Sequence, residues 1–341
     1  MKKIILITTV VVMGIAILIG CSAKTDSKEI TVYTAMEMEL VDKYLESFKA
    51  IHPDIHVKIV RDSTGIIVEK LLEEGFNTPA DLMWGVTASS LLGIRGFLEP
   101  YTPKGVENVL PLFKDDANPP IWVGMNAWEV AIIYNKDEAR KKHLPPIKSY
   151  QDLLKPEFKG EIIMSNPSSS GTAFFFVSGL IQLMGEEKAF EYLDELHKNI
   201  AIYTYSGSAP AKRAGSGEFS VGITSGSAAV AQRNNAAPVE IIFPAEGSGW
   251  DVEANALIKR GKVKKEAKIF LDWAISMDFM TLLHKDHPIT SIKVNDEIPA
   301  GYIKNPLSQL IPNNDIKLAA KNKKGIIRKW ISKYDSKTEG K

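Results

Sequence analysis

The run Ser165-Asn166-Pro167-Ser168-Ser169-Ser170-Gly171-Thr172-Ala173-Phe174-Phe175-Phe176-Val177 leaves a short apolar strand, Ile162-Ile163-Met164, and crosses a turn of small hydroxyl residues. It then opens a helix that should end near Gly185. Ser170 or Thr172 suits the N-cap, and Gly171 lets the backbone come close to whatever sits above the turn. The first amides of such a helix have no internal partner and lie at the positive end of its dipole, which makes the turn a ready anion site. An ordinary capped helix would carry the same residues, so the repetition of the device elsewhere has to separate the two meanings.

It is repeated at four more strand ends. Glu29–Tyr33 reads as a strand leading into Thr34, Ala35 and Glu37, and Ala80–Trp84 as one leading into Thr87 and a helix start. Ile200–Tyr205 feeds Ser206-Gly207-Ser208, and Phe219–Ile223 feeds Thr224-Ser225-Gly226-Ser227. Strands alternating with amphipathic helices predict a sheet covered on both faces, whose ligands bind beyond the strands' carboxyl ends. Ser169, Ser170, Gly171 and Thr172 therefore share one crevice with these turns, and the expected occupant is a small anionic solute. Each charge-assisted hydrogen bond nets about 1.5–3 kcal/mol, so four or five donors suffice for a roughly micromolar ligand.

Lys2 and Lys3 precede the apolar run Ile4–Ile19, which closes on Leu18-Ile19-Gly20-Cys21. A basic start, a short apolar core and small residues before the cut describe an export signal, residues 1–21. Cys21 is the only cysteine, so no disulfide is possible within the chain. Residues 22–28 have the composition of a tether. Without residues 1–21 the chain carries 40 Lys and Arg against 41 Asp and Glu, a formal charge of −1, which gives nucleic acid no purchase. The first crossing between two lobes is expected at Met125-Asn126 and the return at Val239–Asp251, giving lobes of 29–124 with 252–305 and 125–251 with 306–341.

Catalytic motifs are missing: there is no Gly-x-Ser-x-Gly elbow, no P-loop and no His-Glu-x-x-His helix. His284 and His287 read as an incidental surface pair, and no metal or other cofactor is expected. Trp84, Trp122 and Trp250 are candidate pocket walls, Glu246 on the return crossing a candidate for an amine or sugar hydroxyls with Glu37 or Asp251 as substitutes, and Lys212 a solvated helix residue.

Leu18–Cys21 resembles the lipobox of bacterial lipoproteins, which implies a lipid on Cys21 and attachment to a bacterial membrane, in the periplasm or on the outer face of the cell membrane. The runs Ala80–Gly85, Ser165–Thr172, Tyr205–Ser208 and Phe243–Asp251 resemble the solute-binding proteins of bacterial ABC importers, in the type II, two-crossover class. The resemblance spans nearly the whole exported chain. It implies an α/β, two-lobe periplasmic-binding-protein fold hinged by two crossovers, a monomer, and a permease with its ATPase as partners. Within that class the chain is similar to the branch of ferric-ion, sugar-phosphate and 2-aminoethylphosphonate binders. Ferric binders use a histidine after the first strand, a glutamate after the third and two tyrosines after a later one; the corresponding positions here hold Glu37, Val86 and Ser227-Ala228, so a hard cation loses its phenolates. Their anion turn persists as Ser170-Gly171-Thr172. The resemblance therefore implies a phosphonate or organic phosphate, 2-aminoethylphosphonate first, a hexose phosphate second and ferric ion a distant third. A sensor lobe serving a receptor kinase and a phosphatase on the same crevice are the readings from other classes.

Overall fold

The computed structural model describes residues 28–340, so the export signal, Cys21 and the tether up to residue 27 lie outside the described residues. From the amino end the chain runs β1 (Glu29–Thr34), α1 (Met38–Ile51), β2 (His56–Arg61), α2 (Thr64–Glu74), β3 (Leu82–Thr87), α3 (Ala88–Gly93) and β4 (Leu98–Glu99). The long strand β5 (Val123–Asn135) is followed by α4 (Lys136–Lys141), β6 (Ile162–Ser165), α5 (Gly171–Met184), α6 (Glu186–Asn199) and β7 (Ile200–Thr204). Then come α7 (Ala209–Gly215), β8 (Val221–Ser225), α8 (Gly226–Asn234), β9 (Val239–Ile242) and β10 (Trp250–Ile258). Three helices close the chain: α9 (Lys265–Trp273), α10 (Met277–His284) and α11 (Ile316–Tyr334).

The strands line up as β2-β1-β3-β10-β5-β8-β6-β7, with β4 beside β10 and β9 beside β5. β2, β1 and β3 are parallel, as consecutive strand-helix units require, and so are β8, β6 and β7. Between these groups β10 and β5 run antiparallel to their neighbours. β5 pairs with β10 as far as Glu129 and with β8 from Val130 onward, so one strand belongs to two sheets and passes from one to the other at that point. That is a few residues beyond the expected Met125-Asn126. The segment from Phe243 and the start of β10 make the return.

Each half has its own core. In the first, Phe48, Trp84, Phe270, Trp273 and Phe279 meet ring to ring at centroid distances of 4.5–6.4 Å, the range of aromatic pairs worth more than their buried area. In the second, Phe174, Phe175 and Phe176 of α5 are all buried, with Tyr203, Trp330 and Tyr334 in the same cluster. Every residue of α5 from Gly171 to Leu180 is buried, as expected of a helix apolar on all sides. Its middle touches the return crossing: a Cβ on Gly179 would come within 2.7 Å of the Gly249 Cα. Only a pair of glycines permits that approach, and it fixes the helix start against both sheets.

Candidate functional site

The hydroxyl turn is held from below before it offers anything to a ligand. Asn166 folds it, its Oδ1 accepting from the Ser168 amide at 2.8 Å and its Nδ2 donating to Thr338 Oγ1 at 3.0 Å. Ser170 is the N-cap of α5, its Oγ accepting from the Ala173 amide at 3.4 Å. Thr172 Oγ1 is buried and has no partner, and neither has Thr64 Oγ1 from the other sheet's α2. A Cβ on Gly171 would lie 2.8 Å from that Thr64 oxygen, and one on Gly207 would lie 2.7 and 2.8 Å from the hydroxyls of Ser170 and Thr172. Glycines thus keep the cradle open where three elements converge.

These groups line a cleft of about 340 Å³, within the usual size of small-molecule sites. Its two sides already touch. The Gly65 amide donates to the Ser169 carbonyl at 2.7 Å, and Glu37 accepts from Ser208 Oγ at 2.9 Å and Lys212 Nζ at 3.3 Å while also pairing with Arg61. Further in, Glu253 and His287 line the same cleft and are almost wholly buried. Burial pushes the Glu253 carboxyl up to about 7 and that of nearby Glu129 up to about 8, because a low-dielectric surrounding disfavours the charged form. The same cause pushes His287 down to about 4 and leaves it neutral.

Residues 78–306 match a family described as bacterial extracellular solute-binding protein. The chain belongs to that family. It superposes with a TM-score of 0.83 and 26% identity on the periplasmic binding protein AfuA from Actinobacillus pleuropneumoniae, over 90% of this chain and 98% of that one; AfuA was solved with exogenous fructose 6-phosphate bound. An uncharacterized protein of Haemophilus influenzae is 27% identical over 336 residues, 95% of each chain. The probable ABC transporter periplasmic-binding protein y4fP of Sinorhizobium fredii is 23% identical over 275 residues, 78% of this chain and 74% of that protein. The two-lobe periplasmic-binding-protein fold expected from the sequence is the one observed, and the activity is solute binding rather than catalysis.

In this solute-binding protein the cleft gathers Ala35, Glu37, Ser170, Gly171, Thr172, Gly207, Ser208, Ser225 and Ser227. Six other sequence candidates are not among its lining residues, and each is engaged locally. Thr34 Oγ1 accepts from the Met36 amide, Thr224 Oγ1 donates to the Gly207 carbonyl, and Ser206 Oγ shares a hydrogen bond with Ser208 Oγ. Ser169 Oγ donates to the Tyr205 carbonyl at 2.8 Å. Thr87 Oγ1 lies 2.6 Å from Ser90 Oγ, which accepts from half-buried Lys323 at 2.7 Å. Glu246 is a turn carboxylate: both its oxygens accept from the Tyr150 amide at 3.1 Å. Its expected substitute Asp251 accepts from the Ser89 and Val252 amides.

Trp84, Trp122 and Trp250 are core residues, with Trp84 Nε1 on Met125 Sδ and Trp250 Nε1 on the Ile311 carbonyl; the tryptophan at the cleft is Trp128. His284 and His287 are buried rather than a surface pair. Among the described residues no group of three or more His, Cys, Asp or Glu is arranged to hold a metal, and no helix is long and apolar enough to cross a membrane. Sequence reasoning missed Arg61, Thr64, Glu253 and His287, and it treated Lys212 as solvated. One signal for Glu253 was present: Asp251, Glu253 and Asn255 alternate in a strand otherwise made of Trp, Val, Ala, Leu and Ile, which puts three polar groups on one face of a central strand.

Proposed function

We propose that the protein captures a small organic phosphate or phosphonate outside the cytoplasm and delivers it to the permease and ATPase of an ABC importer, held to its membrane by a lipid on Cys21. The two lobes, one built on β1 to β4 and the other on β6 to β9, close on the solute about the β5 and β10 crossings. The observation that carries the reading is the start of α5. There the free amides of a fourteen-residue helix stand beside two buried hydroxyls without partners, Thr172 Oγ1 and Thr64 Oγ1, one from each lobe. Unmet donors that converge across a cleft suit an oxyanion, which accepts from all of them at once. The sugar phosphate bound by AfuA, and the periplasmic ABC role in the name of the Sinorhizobium relative, support the same class of solute and the same partners.

Titration of the purified chain with glucose 6-phosphate, 2-aminoethylphosphonate, inorganic phosphate and ferric citrate, read as a shift in melting temperature, tests this directly. A ligand at about a hundred times its Kd adds roughly 2.7 kcal/mol of stability. A phosphate- or phosphonate-bearing compound should raise the transition, and a rise with ferric citrate alone would end the proposal. Gly171→Val places a branched side chain against Thr64 and over the helix amides. It should abolish the shift while the ligand-free transition survives; unchanged binding would mean that this turn does not touch the solute.

A further inference from the structure

Glu253 and His287 are the other unmet polar groups of the cleft, and both come from the first lobe. Glu253 lies on β10, where the antiparallel register sets Thr87 of β3 on one side of it and Asn126 of β5 on the other. Its Oε2 is buried and has no hydrogen-bond partner. His287 follows α10 and is tied to the same asparagine: Asn126 Nδ2 reaches its Nδ1 at 3.2 Å and also donates to the Ala127 carbonyl. An amide nitrogen donates, so Nδ1 accepts, and the neutral ring carries its hydrogen on Nε2. That Nε2 is likewise buried without a partner. Glu253 and His287 are 4% and 5% exposed, so water does not freely satisfy either. Both residues line the cleft, and between them they hold an unmet acceptor and an unmet donor beside one shared asparagine, in addition to the donors at the start of α5.

We propose that Glu253 and His287 form a second subsite that reads hydroxyl groups on the organic half of the solute, making a polyol or sugar phosphate the preferred class over an aminoalkylphosphonate. The inference rests on the oxyanion assignment made for α5. A hydroxyl donates to Glu253 and accepts from the His287 Nε2–H, so one group or two neighbouring ones satisfy both atoms. An ammonium only donates; it meets the carboxylate and leaves the Nε2–H facing another donor. Inorganic phosphate satisfies the anion cradle and brings nothing to this pair. Asp286 stands beside His287 but is engaged, its Oδ2 accepting from Lys43 Nζ at 2.6 Å and Tyr44 OH at 2.7 Å. Glu253 Oε2 and His287 Nε2 are thus left for the solute, while Asn126 holds the other side of each group. The burial that favours a protonated Glu253 is consistent with a site built for neutral hydroxyls rather than for a cation.

The test is calorimetric titration of the wild-type protein, Glu253→Leu and His287→Phe with glucose 6-phosphate, 2-aminoethylphosphonate and inorganic phosphate, with Gly171→Val as reference. The wild type should bind glucose 6-phosphate most tightly. Each substitution at the pair should weaken that binding about tenfold or more, the loss of a hydrogen bond to a charged or fully buried group, and change inorganic phosphate binding by less than about threefold. Tighter binding of 2-aminoethylphosphonate than of glucose 6-phosphate would overturn the inference. So would an unchanged ratio between glucose 6-phosphate and phosphate in whichever of the two variants folds. If Gly171→Val still abolishes binding in that case, the oxyanion assignment stands by itself. If no phosphate-bearing compound binds the wild type, that assignment falls and the subsite with it.

Discussion

At the scale of single residues, the cleft is paid for by buried carboxyl groups. Glu129 is 3% exposed and its Oε1 has no partner; burial first, and then the neighbouring Glu253, pushes its pKa up to about 8. A carboxyl whose pKa is raised on folding keeps its proton in the folded chain at a pH where the unfolded chain has lost it. Its contribution to stability is complete below the unfolded value near 4.5 and is lost as pH rises through about 8. His287, depressed to about 4, acts in the other direction between pH 6.5 and 4, and above pH 6.5 Glu253, at about 7, and Lys323, depressed by burial to about 8, titrate beside Glu129, so its share is read as a difference between two proteins. Glu129→Gln should remove the share of the dependence that belongs to Glu129. Urea unfolding at pH 6.5 and 8.5 should show the wild type losing about 2 kcal/mol more than the variant, an order-of-magnitude figure since the two carboxyls titrate as a pair. Parallel profiles for the two proteins would show that Glu129 titrates normally. Residue-level legibility followed range. Ser170 was readable because a helix cap is chemistry between near neighbours, Ser170 Oγ with the Ala173 amide. His287 was not, because nothing near it in sequence tells of Asn126, 161 positions away.

At the scale of elements, the site depends on how α5 is seated. The Gly179–Gly249 contact lets the helix lie directly on the return crossing, and a Cβ on Gly249 would come within 2.4 Å of the Phe175 carbonyl oxygen. Gly179→Val forces backbone apart from backbone, where no flexible side chain can yield. Overpacking of this kind costs about 1–3 kcal/mol. The urea midpoint of Gly179→Val should fall accordingly, whereas Gly93→Ala, whose Cβ meets nothing within 4 Å, should stay within about 0.5 kcal/mol of the wild type. Equal effects would mean that the close approach carries no special strain. The alternation of strands and helices, the parallel groups and the start of α5 were all visible in the sequence, since each is written in local hydrophobic period and turn chemistry. The point where β5 changes sheets was misplaced: Met125 through Val130 is one unbroken strand pattern, and only its partners β10 and β8 reveal the switch.

At the scale of the whole molecule, part of the contact between the two halves is a partly solvated ion pair. Glu37 reaches from the first lobe to Ser208 and Lys212 of the second, and its side chain is 28% exposed against 51% for Lys212. Partly solvated ion pairs contribute about 0–1 kcal/mol each, so Glu37 biases closure without locking it. If the closed form binds and the open form does not, the apparent Kd is the intrinsic one divided by the closed fraction. Glu37→Gln lowers that fraction and should weaken every solute by one common factor, up to about fivefold, leaving their rank unchanged. Raised salt, which screens exposed pairs, should weaken the wild type in the same uniform way and the variant less. This differs in kind from Glu253, whose loss should fall on the hydroxyl-bearing solute and spare inorganic phosphate. Calorimetric titration of Glu37→Gln with glucose 6-phosphate, 2-aminoethylphosphonate and phosphate separates the two roles. A common factor marks Glu37 as a clasp between lobes; a factor that is largest for the amine would instead place its carboxylate on the solute, and closure would then rest on the Gly65 to Ser169 bond and the solute itself.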